Sequence, residues 1–188
     1  MLTLTLTRHG QTVENAERIL QGQSPGHLNA TGIAQAEQLR DTLNATDYDI
    51  IVCSDLERTR LTAEILNEKL HLPIDYTPLL RERDWGEYTG LPINQVTLPP
   101  SQFPPSVENA HQLADRASRF LKFLIANYDN RRVLGVGHGY FNRCVQATIE
   151  MRTVHQTPRW DNTERRTFII TTDVANHVAP TDFIVSEN

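Results

Sequence analysis

Apolar and polar positions alternate at the start of the chain, with Leu2, Leu4 and Leu6 separated by threonines up to Thr7, and this two-residue period predicts a strand. Ile50 to Cys53 is a short apolar run of strand length. Between them Ile33, Ala36, Leu39 and Leu43 step by three and four residues, a helical pattern with Asn29 or Thr31 available as its N-cap. A second helix is predicted from about Glu57 to Leu70 on the spacing of Ala63, Ile65, Leu66 and Leu70. Pro73 then opens an extended segment to Leu80. Four prolines in the eight residues from Leu98 to Pro105 exclude regular helix and predict a surface loop able to wall a site. Ser106 is positioned to cap a long helix carrying Ala110, Leu113, Ala114, Ala117, Phe120, Leu121, Leu124 and Ile125 at helical period. Arg132 to Gly137 reads as a buried strand, Phe141 to Met151 as a helix, and Thr167 to Thr172 as a last strand.

Strands alternating with helices predict an α/β fold with a largely parallel central sheet and helices on both faces. With 188 residues and 39% apolar content, the chain suits a single domain over residues 1–188. The net charge of -5 disfavours nucleic acid and acidic membranes as partners. A local basic pocket is compatible with that average, since the chain has sixteen arginines and two lysines. Cys53 and Cys144 show no paired spacing, so neither a disulfide framework nor a cysteine metal site is expected. The amino terminus does not have the pattern of a signal peptide, and no apolar run approaches membrane-spanning length. A cytoplasmic location is the expectation. Oligomeric state has no sequence signature here.

Candidate chemistry gathers where strands end. Thr7-Arg8-His9-Gly10-Gln11-Thr12 follows the first strand and Gly137-His138-Gly139 follows a later one. The carboxyl edge of such a sheet is the usual ligand site, and adjacent parallel strands would unite two histidines 129 positions apart. Ser54-Asp55-Leu56-Glu57-Arg58-Thr59 adds to the same edge. A cluster of Arg8, Arg58, His9 and His138 repels itself unless an anion joins it. Phosphate fits, because guanidinium groups present paired donors to its oxygens, and Gly10 and Gly139 would let the backbone pass close to it.

These residues resemble the histidine phosphatase superfamily, which includes cofactor-dependent phosphoglycerate mutases. The resemblance is carried by Arg8-His9-Gly10-Gln11-Thr12 with Asn15, Gln21-Gly22, Ser54-Asp55-Leu56 with Arg58-Thr59, Leu80-Arg81-Glu82 before Trp85-Gly86-Glu87, and Gly137-His138-Gly139 with Arg143. It implies a phosphoglycerate mutase-like fold, with His9 attacking phosphorus and Arg8, Arg58 and His138 binding the phosphoryl group. Asn15 would add a donor, and Gln21, Gly22 and Gly139 belong to the substrate-binding set. Glu82 would be the general acid, with Glu87 as the fallback. A neutral imidazole is a nucleophile near neutral pH and needs no metal or cofactor, while a carboxyl beside a phosphate dianion is kept protonated until it donates. Tyr140 and Phe141 are bulkier than the residues many relatives place after the second histidine, and would narrow the pocket mouth.

The remaining histidines, His27, His71, His111, His155 and His177, have no metal-ligand spacing. Trp85 and Tyr88 read as packing residues, with a pocket-lining role left open by their closeness to Glu82, and Arg116, Arg119 and Lys122 as the solvated face of the long helix or, alternatively, as a reach to a substrate's second negative group. The function expected is phosphomonoester hydrolysis on a small phosphorylated substrate. A phosphoglycerate mutase is the enzymatic alternative, disfavoured by an interval of only 56 positions between Glu82 and His138. A catalytically silent phospholigand-binding module is the other alternative, and retention of every expected catalytic residue speaks against it.

Overall fold

The computed structural model describes residues 1–177. Residues 178–188, the end of the expected domain, lie outside the described residues. In chain order the strands and α-helices are β1 (Leu2–Arg8), α1 (Val13–Ala16), α2 (Ala30–Thr42), β2 (Ile50–Ser54), α3 (Glu57–Leu70), β3 (Ile74–Thr77), α4 (Ala110–Tyr128), β4 (Arg132–Gly137), α5 (Gly139–Glu150), β5 (Arg165–Ile170) and α6 (Thr172–Ala175). They build one α/β unit around a five-stranded sheet of order β3-β2-β4-β1-β5. All neighbouring pairs are parallel except β1 and β5.

Two apolar layers cover the sheet. Leu2, Leu4 and Leu6 of β1 pack with Leu113, Phe120 and Leu124 of α4 and with Phe141 and Val145 of α5. On the opposite face Ile51, Cys53, Leu134 and Val136 pack with Leu39 of α2 and Ala63, Leu66 and Leu70 of α3. The strand period of two sends alternate residues to opposite faces, so Val133 and Leu134 enter different cores. Burying each large apolar side chain contributes about 1.5–3 kcal/mol. These layers fix the sheet that carries the site.

Several element ends differ from expectation, each for a local reason. Ser106 does not cap the long helix. Its hydroxyl donates to Glu87 Oε2 (2.9 Å), and Asn109 caps instead, exchanging side-chain to backbone hydrogen bonds with Gln112. Of the two candidates for α2, Asn29 is the cap, accepting from the Gly32 N–H at 2.8 Å. The extended segment after Pro73 stops at Thr77, where a 3-10 turn over Pro78–Leu80 takes over. Helix α5 begins at Gly139, two residues earlier than predicted. The last strand is Arg165–Ile170 rather than Thr167–Thr172, because Thr171 caps α6 by accepting from the Val174 N–H (3.2 Å).

Candidate active site

The sheet order makes β2, β4 and β1 neighbours, and their carboxyl ends deliver Ser54, His138 and His9 to one place. The histidines 129 positions apart in sequence meet because the His9 N–H donates to the Gly137 carbonyl at 3.0 Å. Their rings stand edge to face with centroids 5.2 Å apart. Both rings are buried. His9 Nδ1 donates to the Gly10 carbonyl oxygen at 2.6 Å, an assignment that leaves the lone pair on Nε2. The backbone around His9 is also held, with its carbonyl accepting from Asn162 Nδ2 (3.0 Å) and the Gly10 N–H donating to Thr62 Oγ1 (3.2 Å).

His138 is oriented from the far side by Ser54, whose Oγ lies 2.8 Å from Nε2. Ser54 Oγ also accepts the Leu56 N–H (3.4 Å) with one lone pair, and its hydroxyl hydrogen is assigned to Nε2 of His138. A proton then sits on Nδ1, which is buried without a protein partner among the described residues. The Nε atoms of Arg8 and Arg58 are in the same condition. Buried donors are rarely left unpaired, and three belonging to one cluster mark a place for an acceptor-rich ligand.

Arg58 is almost wholly buried at 1% exposure and is held by the loop after α1, donating to the carbonyls of Gly22 (2.8 Å), Ser24 (2.6 Å) and Pro25 (3.1 Å). Arg8 Nη1 donates to the Trp160 carbonyl at 2.7 Å. Burial followed by the charges of Arg58 and Arg8 holds the His9 pKa well below its ordinary 6.5. His138 is lowered in the same direction by burial, then Arg58 and His9. Burial also pushes the Arg58 guanidinium down to about 10, opposed chiefly by Glu82. Both imidazoles are therefore neutral at pH 7 inside a positive field.

Glu82 supplies the facing carboxylate. Its Oε1 accepts the N–H groups of Arg83 (2.9 Å) and Phe141 (3.0 Å), and Oε2 accepts that of Tyr140 (3.2 Å). Two of these donors belong to the first turn of α5. The acid loop is held from behind by Arg116, which donates to the carbonyls of Leu79 (3.2 Å), Arg81 (2.6 Å) and Glu82 (3.3 Å) while pairing bidentately with Glu108. Glu87 is exposed and bonded to Ser106. The charge of Glu82 is the leading carboxylate influence on both Arg8 and Arg58.

The profile of the histidine phosphatase superfamily, branch 1, matches residues 4–178. The chain belongs to that superfamily. It is 39% identical over 140 residues to an uncharacterized phosphatase, PhoE, of Bacillus subtilis, covering 74% of this chain and 72% of that protein. A protein of Citrobacter koseri named as a probable phosphoglycerate mutase, GpmB, is 34% identical over 79% of this chain and 75% of its own length. Among solved structures, a mycobacterial glucosyl-3-phosphoglycerate phosphatase in complex with VO3 superposes with a TM-score of 0.79 at 26% identity, covering 88% of this chain and 91% of that one.

Not every residue expected at the site of this superfamily member lies free to meet a ligand. Asn15 Oδ1 accepts the Thr12 N–H (3.3 Å) and its own N–H donates to Thr12 Oγ1 (3.0 Å), a capping box that starts α1. Gln21 is buried with Oε1 unpartnered, facing the turn at Gly26. Gly22 adopts φ +51, a left-handed conformation that aims its carbonyl at Arg58. Gly10 serves packing rather than ligand approach: a Cβ there would stand 2.3 Å from the Gly32 carbonyl oxygen in α2. At Gly139 the space belongs to the Arg8 guanidinium, 3.0 Å from where a Cβ would be.

Two aromatic and cationic expectations are corrected as well. Phe141 is fully buried beneath the Arg116 guanidinium, 3.8 Å from its ring centroid, so it does not narrow the mouth. Arg116 itself is buried, not solvated as its charge suggested. Its position three residues after Leu113 and four before Phe120 puts it inside the apolar stripe, a signal the spacing did contain. Trp85 and Tyr88 both pack edge-on against Phe103 of the proline-rich loop. Among the described residues no three His, Cys, Asp or Glu side chains gather as a metal site, and no helix is long and apolar enough to cross a membrane.

Proposed function

We propose that this histidine phosphatase hydrolyses phosphomonoesters through a phosphohistidine on His9. The observation that carries the reading is the Nδ1 hydrogen bond to the Gly10 carbonyl, which leaves Nε2 of a neutral, buried imidazole unprotonated. Nε2 attacks phosphorus, the P–N bond forms, and the bond to the ester oxygen breaks as Glu82 gives that oxygen a proton. Arg8, Arg58 and the Nδ1 hydrogen of His138 hold the three equatorial oxygens, where charge develops. Water then attacks phosphorus, its proton passes to Glu82, and the P–N bond breaks. Each residue returns to its starting state. On the same reading Asn15, Gln21, Gly22 and Gly139 border the site, with the Asn15 and Gln21 side chains held at the α1 cap and the Gly26 turn.

The partner on this reading is a small phosphorylated molecule, and neither metal nor cofactor enters a step. A cytoplasmic setting belongs to the same proposal and accords with two free, buried thiols, Cys53 and Cys144. The test is phosphate release from an aryl phosphate in the presence of a chelator, comparing the protein with His9→Ala. Turnover that persists with chelator and disappears in the variant supports the mechanism. A wild-type protein that releases no phosphate from this or a panel of natural phosphates would remove the hydrolase reading.

A mutase reading is favoured by the similarity to a protein named as a probable phosphoglycerate mutase. The two reactions separate on one substrate: phosphoglycerate yields free phosphate by hydrolysis and an isomer by mutase action.

A further inference from the structure

Arg81 and Asp55 form a bidentate ion pair, with Nε 2.7 Å from Oδ1 and Nη2 2.6 Å from Oδ2. Its two halves are sequence neighbours of the chemistry. Asp55 follows Ser54, whose hydroxyl meets His138, and Arg81 precedes Glu82. A third residue closes the bridge. Gln23 Oε1 accepts from Arg81 Nη1 at 3.3 Å, and Gln23 Nε2 donates to the Glu82 carbonyl at 3.4 Å. Gln23 itself lies between Gly22 and Ser24, whose carbonyls hold Arg58. The three side chains thus tie together the segments that fix Arg58, His138 and Glu82.

Stability is not what this clasp supplies. The Arg81 side chain is 36% exposed and that of Asp55 26%, and ion pairs so open to water contribute little to folding. Arg81 holds the Asp55 carboxyl below its ordinary value, so the pair stays ionised at neutral pH. What it supplies is direction, because a planar guanidinium meets a carboxylate bidentately in one orientation. Arg116 grips the acid loop from the α4 side, and the N–H groups of Tyr140 and Phe141 receive the Glu82 carboxylate. The clasp ties the same loop to the end of β2. Proton transfer to a leaving oxygen is sensitive to displacements of about 1 Å.

Resting on the hydrolase reading, we infer that Arg81, Asp55 and Gln23 are positioning residues that set Glu82 at the distance and angle needed to protonate the leaving oxygen. Arg81 acts through the backbone it shares with Glu82, and Gln23 through the Glu82 carbonyl.

The experiment measures kcat/KM on an aryl ester, 4-nitrophenyl phosphate, and an alkyl ester, 2-phenylethyl phosphate, for the wild type, Arg81→Met, Glu82→Gln and the double variant. Arg81→Met is expected to lower the alkyl-to-aryl ratio on the order of tenfold, short of the roughly 10²–10⁴-fold that general acid catalysis supplies. In the Glu82→Gln background the same change is expected to leave the ratio where it is, because no acid remains to be misplaced. A purely structural loss would touch both substrates alike, and unfolded molecules drop out of a ratio. Equal losses on the two esters in Arg81→Met, or a further fall in the ratio on top of Glu82→Gln, would overturn the inference while leaving hydrolysis standing. An unchanged ratio in Glu82→Gln would instead defeat the acid role, and a wild type that releases phosphate from neither ester would defeat the hydrolase reading, each taking the inference with it.

Discussion

His9 and His138 face each other edge to face, centroids 5.2 Å apart and planes at 64°. His9 spends its Nδ1 on the Gly10 carbonyl and His138 spends its Nε2 on Ser54, so the pair offers one lone pair and one N–H. On the proposed mechanism a nucleophile and an oxyanion donor are thus made from the same side chain in the same Nδ1–H tautomer, by turning opposite ring nitrogens to the site. The difference lies wholly in which backbone or hydroxyl partner each ring finds.

Neutral buried histidines make folding stability depend on pH in a definite direction. Below pH 6.5 the unfolded histidines take up protons that the folded ones, held well below that value, refuse. The unfolded state is then favoured, so the melting temperature falls as pH drops from 6.5 toward the lowered values. Above 6.5 these two groups are neutral in both states and contribute no slope. Thermal melts across this range on the protein and on a His9→Asn, His138→Asn double variant check the point. The variant is expected to have the shallower decline, and equal slopes would contradict the assignment. Inorganic phosphate should flatten the wild-type decline by pairing with the protonated cluster.

Glu82→Gln should divide substrates by leaving group. An aryl phosphate with an acidic phenol needs little help from a proton donor, whereas an alkyl phosphate depends on one, and general acid catalysis is worth about 10²–10⁴-fold. The ratio of kcat values for the two substrate types is the measurement. Equal losses on both would show that Glu82 acts through structure or phosphate binding instead.

Arg116→Met tests how the acid loop is held. Arg116 and Glu108 are both mostly buried, and removing one partner leaves the other uncompensated, at a cost of about 3–5 kcal/mol. The double variant Arg116→Met, Glu108→Leu should recover part of that stability, since both charges are gone. It should not recover turnover of alkyl phosphates, because the carbonyls of Leu79, Arg81 and Glu82 still lack their donor. Denaturant melts and alkyl-phosphate kcat on the three proteins separate the effects.

The fold and the centre of the site were legible in the sequence because their signals are local and typed. Leucine alternation marks β1, an apolar run marks β4, and each is followed directly by a histidine beside glycine. Parallel adjacency then does the rest. What escaped the sequence depends on packing across elements. Asn109 and Ser106 are both competent caps, and only the engagement of Ser106 with Glu87 decides between them. Arg116 was misjudged because charge was taken as exposure, though its helical position lay within the buried stripe. Trp160 and Asn162 reach Arg8 and His9 from a segment without periodicity, through a carbonyl that any residue supplies and a side-chain amide. Such contacts leave almost no trace in residue type.

The central claim is the covalent intermediate, and rapid quenching with radiolabelled aryl phosphate tests it most directly. The account predicts acid-labile, base-stable label on the protein during turnover, mapped to His9 and absent from His9→Ala. Steady turnover with no trapped label, label on another residue, or undiminished activity in His9→Ala would contradict it.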